Sequence, residues 1–345
     1  MRLLHTLPYL LLQGFLYLLS WLPLCILYRL SDGCYLLVYH IVGYRKKLVR
    51  KHLAQCFPEK DEQEQRRIER GFYHWFCDYV VETIKLLTMS KKEIMRRMTF
   101  KNISLLDEAT AKGLSCGVYL GHYCNWEWVT SLQLWVNPQG QCAQIYHILE
   151  NAWAEKLFLS IRSRFGSDSI PMAETLRRIA LYRKKQQPII LGYISDQVPY
   201  WNNIHHWLDF LHHDTPVLTG TEKVITATKQ VPFYMDIQRI RRGYYEATLL
   251  PLQTPASAKA TDKAAEGAWP LTDQYFQLLE ATIRRQPAYY LWTHNRWKRT
   301  HEEFNLRYDP KTGRVNLTDS IEVLRRRASE GCLHKESTEC DGKGN

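Results

Sequence analysis

No GxxxxGK[ST] or GxGxxG string occurs anywhere in the 345 residues, so nucleotide hydrolysis and dinucleotide binding by a glycine loop have no motif to rest on. Nucleophile-elbow hydrolase chemistry is not expected either. The nine cysteines include no C-x-x-C pair and no metal-type grouping with histidine. Neither a disulfide framework nor a zinc site is indicated, no metal or cofactor is expected, and a reducing compartment fits. Acidic residues are in deficit: 35 Asp plus Glu against 46 Lys plus Arg leave a formal charge of +11. A surface of that sign suits nucleic acid, an acidic membrane or an acidic carrier protein, and charge alone does not choose among them.

Charge is also missing from one long stretch. Leu7 to Tyr28 contains no formal charge over 22 residues, about the length that crosses a hydrocarbon core, and predicts a membrane helix. Pro8 and Pro23 would shorten or kink it, which leaves monotopic insertion open. Gly33 to Gly43 is mostly apolar but too short to span, and belongs at the interface or against the domain. The cluster Arg45, Lys46, Lys47, Arg50 and Lys51 then puts the following body on the cytoplasmic side.

Two helices are predicted from Leu48 to Leu87, broken at Phe57-Pro58, the second starting near Asp61. Ile68, Phe72, Trp75, Phe76, Tyr79 and Val80 recur at helical spacing and read as core. The centre of the chain is CGVYLGHYCNWEW, Cys116 to Trp128. Its apolar run bounded by Gly117 and Gly121 reads as a short buried strand, and Asn125 to Leu134 as a helix, with His122 in the turn between. On a regular helix, residues five apart lie about 140° apart, so His122 and Glu127 meet only if the histidine precedes the helix. A carboxylate on one imidazole nitrogen would fix the tautomer and leave the other nitrogen free to take a proton from an alcohol. Cys124, inside the same string, reads as packing.

Downstream the pattern alternates. Strands are expected at Gln141 to His147 and Pro188 to Ile194, with helices at Asn151 to Phe165 and Glu174 to Lys185. Then come a helix from Thr219 to Thr228 and a hairpin of Val231 to Ile237 with Tyr244 to Leu250. An exposed loop from Thr254 to Gly267, a helix from Leu271 to Arg285 and a closing strand from Tyr289 to Trp292 follow. Asp196 and Gln197 stand at a strand end, where ligands of open α/β sheets bind. The pairs His205-His206 and His212-His213 do not have the convergence a metal site needs.

The string GHYCNWE, with HLAQCFPE and RRIERGFYHWFCDYVVETIKL before it, resembles the lipid A biosynthesis (lauroyl/myristoyl) acyltransferases, a branch of the lysophospholipid acyltransferase superfamily, over roughly residues 1 to 305. The resemblance implies His122 and Glu127 as catalytic pair, and Arg164, with Arg162 as fallback, as an active-site arginine that holds phosphate or stabilises an oxyanion. It further implies Asp196, Gln197 and Asn125 as substrate-binding residues. It implies a fatty acyl donor on acyl carrier protein, a membrane glycolipid acceptor, and a place on the cytoplasmic face of a bacterial inner membrane. Phe210, Leu211 and His212 depart from the family's Phe-Phe-Gly, while His294, Arg296 and Lys298 match its terminal His-x-Arg-x-Lys.

The fold expected is α/β, a mixed central sheet flanked by helices. Residues 1–44 would anchor, 45–100 form a helical lead-in, 101–305 the acyltransferase domain and 325–345 a polar, disordered tail. A sibling enzyme acting on a lysophospholipid, phosphatidylinositol mannoside or aminolipid stays open, with acyl-CoA as its possible donor. So does a non-catalytic, membrane-tethered basic binding protein; nucleic acid is not the partner favoured.

Overall fold

The computed structural model describes residues 2–254 and 268–329. Helix α1, Arg2–Trp21, stops before Pro23, and α2, Leu24–Tyr35, runs into a π-helical stretch, Leu36–Val42. Gly43 ends it in a left-handed conformation (φ 63°) that glycine adopts without strain.

The single run expected from Leu7 to Tyr28 is therefore two helices. Proline has no N–H to continue the ladder, and the carbonyls freed at the break are taken up from outside. Lys85 Nζ donates to Ser20 O at 2.9 Å and to Leu22 O at 3.0 Å, and Thr88 Oγ1 donates to Ser20 O at 2.5 Å. Among the described residues no helix is long and apolar enough to cross a membrane, which corrects the expectation of a spanning N-terminal helix. These helices nonetheless expose large apolar side chains, among them Leu11, Leu18, Trp21, Ile41 and Val42.

Helices α3, Lys46–Cys56, and α4, Glu62–Lys85, flank the break at Phe57-Pro58, and Asp61 caps α4 by accepting from Glu64 N–H. Ile68, Phe72 and Trp75 are buried as the stripe predicts, whereas Val80 turns outward.

From there the chain alternates. Helix α5, Lys91–Arg97, leads to β1, Met98–Lys101; α6, Ser104–Ala111, to β2, Cys116–Leu120; and a 3-10 helix, Trp126–Leu134, to β3, Gln141–Tyr146. Helix α7, Ala152–Arg162, precedes β4, Asp168–Pro171, and α8, Thr175–Lys184, precedes β5, Ile189–Ile194. A small hairpin of β6, Trp207–Phe210, and β7, His213–Pro216, stands apart. Then follow α9, Gly220–Thr228, the hairpin of β8, Val231–Arg241, and β9, Tyr244–Pro251, and finally α10, Pro270–Arg285, and α11, His301–Arg307.

Seven strands form one sheet in the order β1-β9-β8-β2-β5-β3-β4. Pairing is parallel throughout except between β8 and β9, giving the mixed sheet expected. All five residues of β2 are buried, as suits a strand covered on both faces.

Three readings are corrected in detail. Tyr289–Trp292 is not a strand: a 3-10 turn, Pro287–Tyr289, leads into it, Tyr290 makes an isolated bridge to Tyr123 in the turn after β2, and Trp292 N–H folds back onto Tyr290 O at 2.8 Å. The Asn125 to Leu134 helix is 3-10. Residues 321–329 are helical where the polar tail was expected from 325, with Leu324 buried and Arg325 paired with Glu302. The predicted loop Thr254 to Gly267 lies outside the described residues from 255 onward, as do 330–345.

His52 is 2% exposed, with Nδ1 3.0 Å from Trp292 O, and burial pushes its pKa from 6.5 down to about 4. The unfolded chain takes up this proton first, so the neutral ring's contribution to stability is intact above pH 6.5. It is lost on acidification through that value, by up to about 1.4 kcal/mol per pH unit. Thermal melts from pH 7.5 to 5.5 are expected to show a falling Tm, with a shallower fall in His52→Gln than in wild type.

Candidate active site

The site forms where β2 and β5 end. These neighbours are parallel with Leu120 opposite Ile194, so His122 and Asp196 each lie two residues beyond a matched pair. The register alone brings them together. His122 Nδ1 lies 2.6 Å from Asp196 Oδ1, and His122 backbone N–H donates to Asp196 Oδ2 at 2.9 Å. Gly121 lets Leu279 pack against the turn: a Cβ there would stand 2.6 Å from Leu279 Cδ1, though only in ordinary contact, 3.6 Å, with Asp196 Oδ2.

Asp196 is buried, which alone would raise its pKa. The facing His122 and its hydrogen bonds, with Arg296 further off, outweigh burial and hold it below the usual carboxylate value. An ionised carboxylate accepts Nδ1–H and leaves Nε2 as the free nitrogen. Nε2 lies 3.3 Å from the Gln197 amide, on the side where the ring meets solvent, and Trp126 contacts the ring edge to face.

Glu127 does not touch this histidine through a hydrogen bond, contrary to the expectation that it orients His122. It is 3% exposed and is clasped at both oxygens by Arg162, from Nε at 3.0 Å and Nη2 at 2.7 Å. Asp196 takes the orienting place instead. Arg162, the fallback, is also the arginine that reaches the motif. Arg164, two residues on, points elsewhere and donates from Nε to Met89 O at 3.0 Å.

Asn125 is fully buried and both ends of its amide serve the fold: Nδ2 donates to Glu82 Oε2 at 2.7 Å and Oδ1 accepts Trp128 N–H at 3.1 Å. The structure therefore places it in the packing beneath the motif rather than on the open face where substrate binding was expected. Gln197 and Asp196 both stand at the site. His294 joins them from the last segment, near enough to Asp196 and His122 to feel their charge.

Two other chemistries lose their footing. Gly113 to Gly117 does spell G-x-S-x-G, but Ser115 precedes β2 rather than following it, and its hydroxyl accepts Ile189 N–H at 3.2 Å. A nucleophile elbow needs its serine at the strand's far end. Cys124 is fully buried, and burial pushes its thiol well up, away from thiolate. The paired histidines disperse, His206 to Asp273 and His212 to Arg284.

A histidine held in one tautomer by a buried aspartate, at the carboxyl edge of a largely parallel sheet, is an arrangement suited to general-base chemistry. Comparison with known sequences narrows this class: the chain belongs to the bacterial lipid A biosynthesis acyltransferase family, whose model matches residues 1–299. It is also similar to a lipid A biosynthesis acyltransferase of Haemophilus influenzae, 20% identical over 280 residues, covering 79% of this chain and 86% of that protein.

The two carboxylates should separate in experiment. Asp196→Asn is expected to lower the acyl-transfer rate about 10²- to 10⁴-fold with a small change in Tm, because the amide no longer enforces the tautomer. Glu127→Gln is expected to cost about 2 kcal/mol of stability, since Arg162 keeps its charge and loses its partner. Rates and melts measured on both variants check this.

Proposed function

We propose that this acyltransferase moves a fatty acyl chain from an acyl carrier protein thioester to a hydroxyl of a lipid A precursor. The observation that carries it is the His122 ring, held at Nδ1 by Asp196, with the unprotonated Nε2 beside the Gln197 amide on the partly exposed side of the site.

The acceptor hydroxyl approaches His122 Nε2, which takes its proton as the oxygen attacks the thioester carbonyl carbon. The carbonyl electrons move onto oxygen, forming a tetrahedral intermediate. Its collapse breaks the carbon–sulfur bond, and the imidazolium returns the proton to the departing thiolate. Ester and thiol are the products, and no acyl-enzyme is needed. Asp196 stabilises the transient imidazolium, Gln197 positions the acceptor, and the Arg162 and Glu127 pair shapes the adjoining wall. The guanidinium, partly open to solvent, stabilises the developing oxyanion.

The +11 formal charge favours an acidic carrier as donor. The acceptor is a membrane lipid, and the exposed apolar side chains of α1, α2 and the π-helical stretch would dock the enzyme at the bilayer surface. This membrane is the bacterial inner membrane, approached from the cytoplasm.

The test incubates the protein with labelled acyl carrier thioester or acyl-CoA and a lipid A precursor. Wild type should yield acylated lipid from the carrier thioester, and His122→Ala at least about 10²-fold less. Equal product from both sinks the mechanism; preference for acyl-CoA sinks the donor. In vesicle flotation, Leu18→Glu with Ile41→Glu should weaken binding at least about tenfold if those side chains enter the interface.

A further inference from the structure

A cavity of about 530 Å³ lies behind the His122 turn, between α4, the end of β8, and the segment from the end of α10 to Tyr289. Lys60, Arg67, Arg239, Arg284 and Arg285 line it against one lining carboxylate, Glu64, which Lys60 holds at 2.6 Å, while from outside the lining Glu280 pairs with Arg284 at 2.7 Å and Asp236 with Nη1 and Nη2 of Arg285 at 2.8 and 2.7 Å. The backbone of this wall turns its acceptors away. The carbonyl of Gln286 accepts the Tyr123 hydroxyl, that of Pro287 the Trp292 indole, and that of Tyr289 the Cys124 N–H.

Donors remain in excess. Arg67 is exposed and has no hydrogen bond or ion pair among the described residues. The Arg239 side chain is only 10% exposed; it spends Nη2 on Asp78, while its Nε–H is buried without an acceptor. Guanidinium groups with one edge paired and another free match the oxygens of a phosphate, and a buried N–H without a partner is costly until an acceptor arrives.

We propose that this cavity binds a phosphate-bearing ligand, a monoester or diphosphate presented by a lipid headgroup or by a soluble molecule. The site lies near both the apolar helices and the catalytic turn. Tyr35 of α2 stacks on His74 of the cavity wall at 3.5 Å between centroids, immediately before exposed Leu36 and Leu37. On the other side, Cys124 N–H meets Tyr289 O at 2.9 Å and Leu291 N–H meets His122 O at 3.2 Å. A ligand seated against Tyr289 therefore stiffens the segment that flanks His122. Only a lipid source for the phosphate rests on the proposed membrane docking.

The test uses full-length protein freed of phosphate, titrated calorimetrically with pyrophosphate and with inorganic phosphate at constant ionic strength in chloride. Flotation with phosphatidylcholine vesicles, with and without phosphatidic acid, runs alongside. Saturable pyrophosphate binding is expected, weakened at least about tenfold in Arg67→Gln with Arg284→Gln and unchanged in His122→Ala. A gain on phosphatidic acid vesicles that the double variant loses identifies the lipid source; pyrophosphate binding without that gain identifies a soluble one. If the double variant misfolds by circular dichroism, Arg67→Gln alone serves, since that side chain is exposed. Binding no stronger than chloride's, or equal in the variants, overturns the proposal. Because the readout is binding, its failure is distinct from failure of acyl transfer.

Discussion

The contact on which the site depends is a carboxylate held two ways. Asp196 accepts the ring N–H of His122 through one oxygen and its backbone N–H through the other. The second bond fixes where the turn sits, and the first fixes how the ring faces, so one buried acid determines both position and tautomer. This is possible only because β2 and β5 are neighbours, parallel and in register to their last residues. The surroundings serve the same contact. Tyr275 donates to Leu120 O, where β2 ends, and Arg296, 1% exposed, supplies the positive field that helps keep Asp196 ionised.

The remaining polar residues of the motif attach to other elements. Glu127 is tied to α7 through Arg162, and Asn125 to α4 through Glu82, which also accepts from Tyr28 and Tyr245. A short stretch of chain is thus pinned to β5, α7 and α4 at once. Burying Glu127 would be unfavourable alone, and a bidentate guanidinium is the arrangement that offsets its desolvation. The spacing of five between histidine and glutamate is therefore not the reach of one side chain to the other. It is the distance between two anchors of a common wall.

That distinction explains what the sequence could and could not convey. Strands β2, β3, β5 and the β8–β9 hairpin follow from apolar runs and turn residues, and the Asp61 cap and the Phe57-Pro58 break are local chemistry. His122 was visible because a glycine-bounded strand ends just before it. Its partner was not, because Asp196 lies 74 positions away and only strand register unites them. The signal was nonetheless present: both residues follow their strands by the same offset. Arg162 and Arg164 were inseparable by type, since two residues along a helix turn the side chain by about 200° and the choice needs to know which face meets Glu127. Short β1 and β4 carry too few residues for a period to register.

The N-terminal run shows how composition can give the right surface and the wrong geometry. Its apolar character is real, but Pro23 ends the hydrogen-bond ladder, and the charged amine of Lys85 occupies the break by bonding to Ser20 and Leu22. A lysine at that depth of a hydrocarbon core would have to be desolvated against lipid, whereas here it is buried in protein and donates to carbonyls that would otherwise be orphaned. The break therefore fastens α1 to the end of α4 and leaves the opposite faces of α1, α2 and the π-helical stretch bare. Helices joined in this way can enter an interface only along their sides. Under the proposed function, that arrangement would present its apolar surface to the bilayer in which an acceptor lipid would reside.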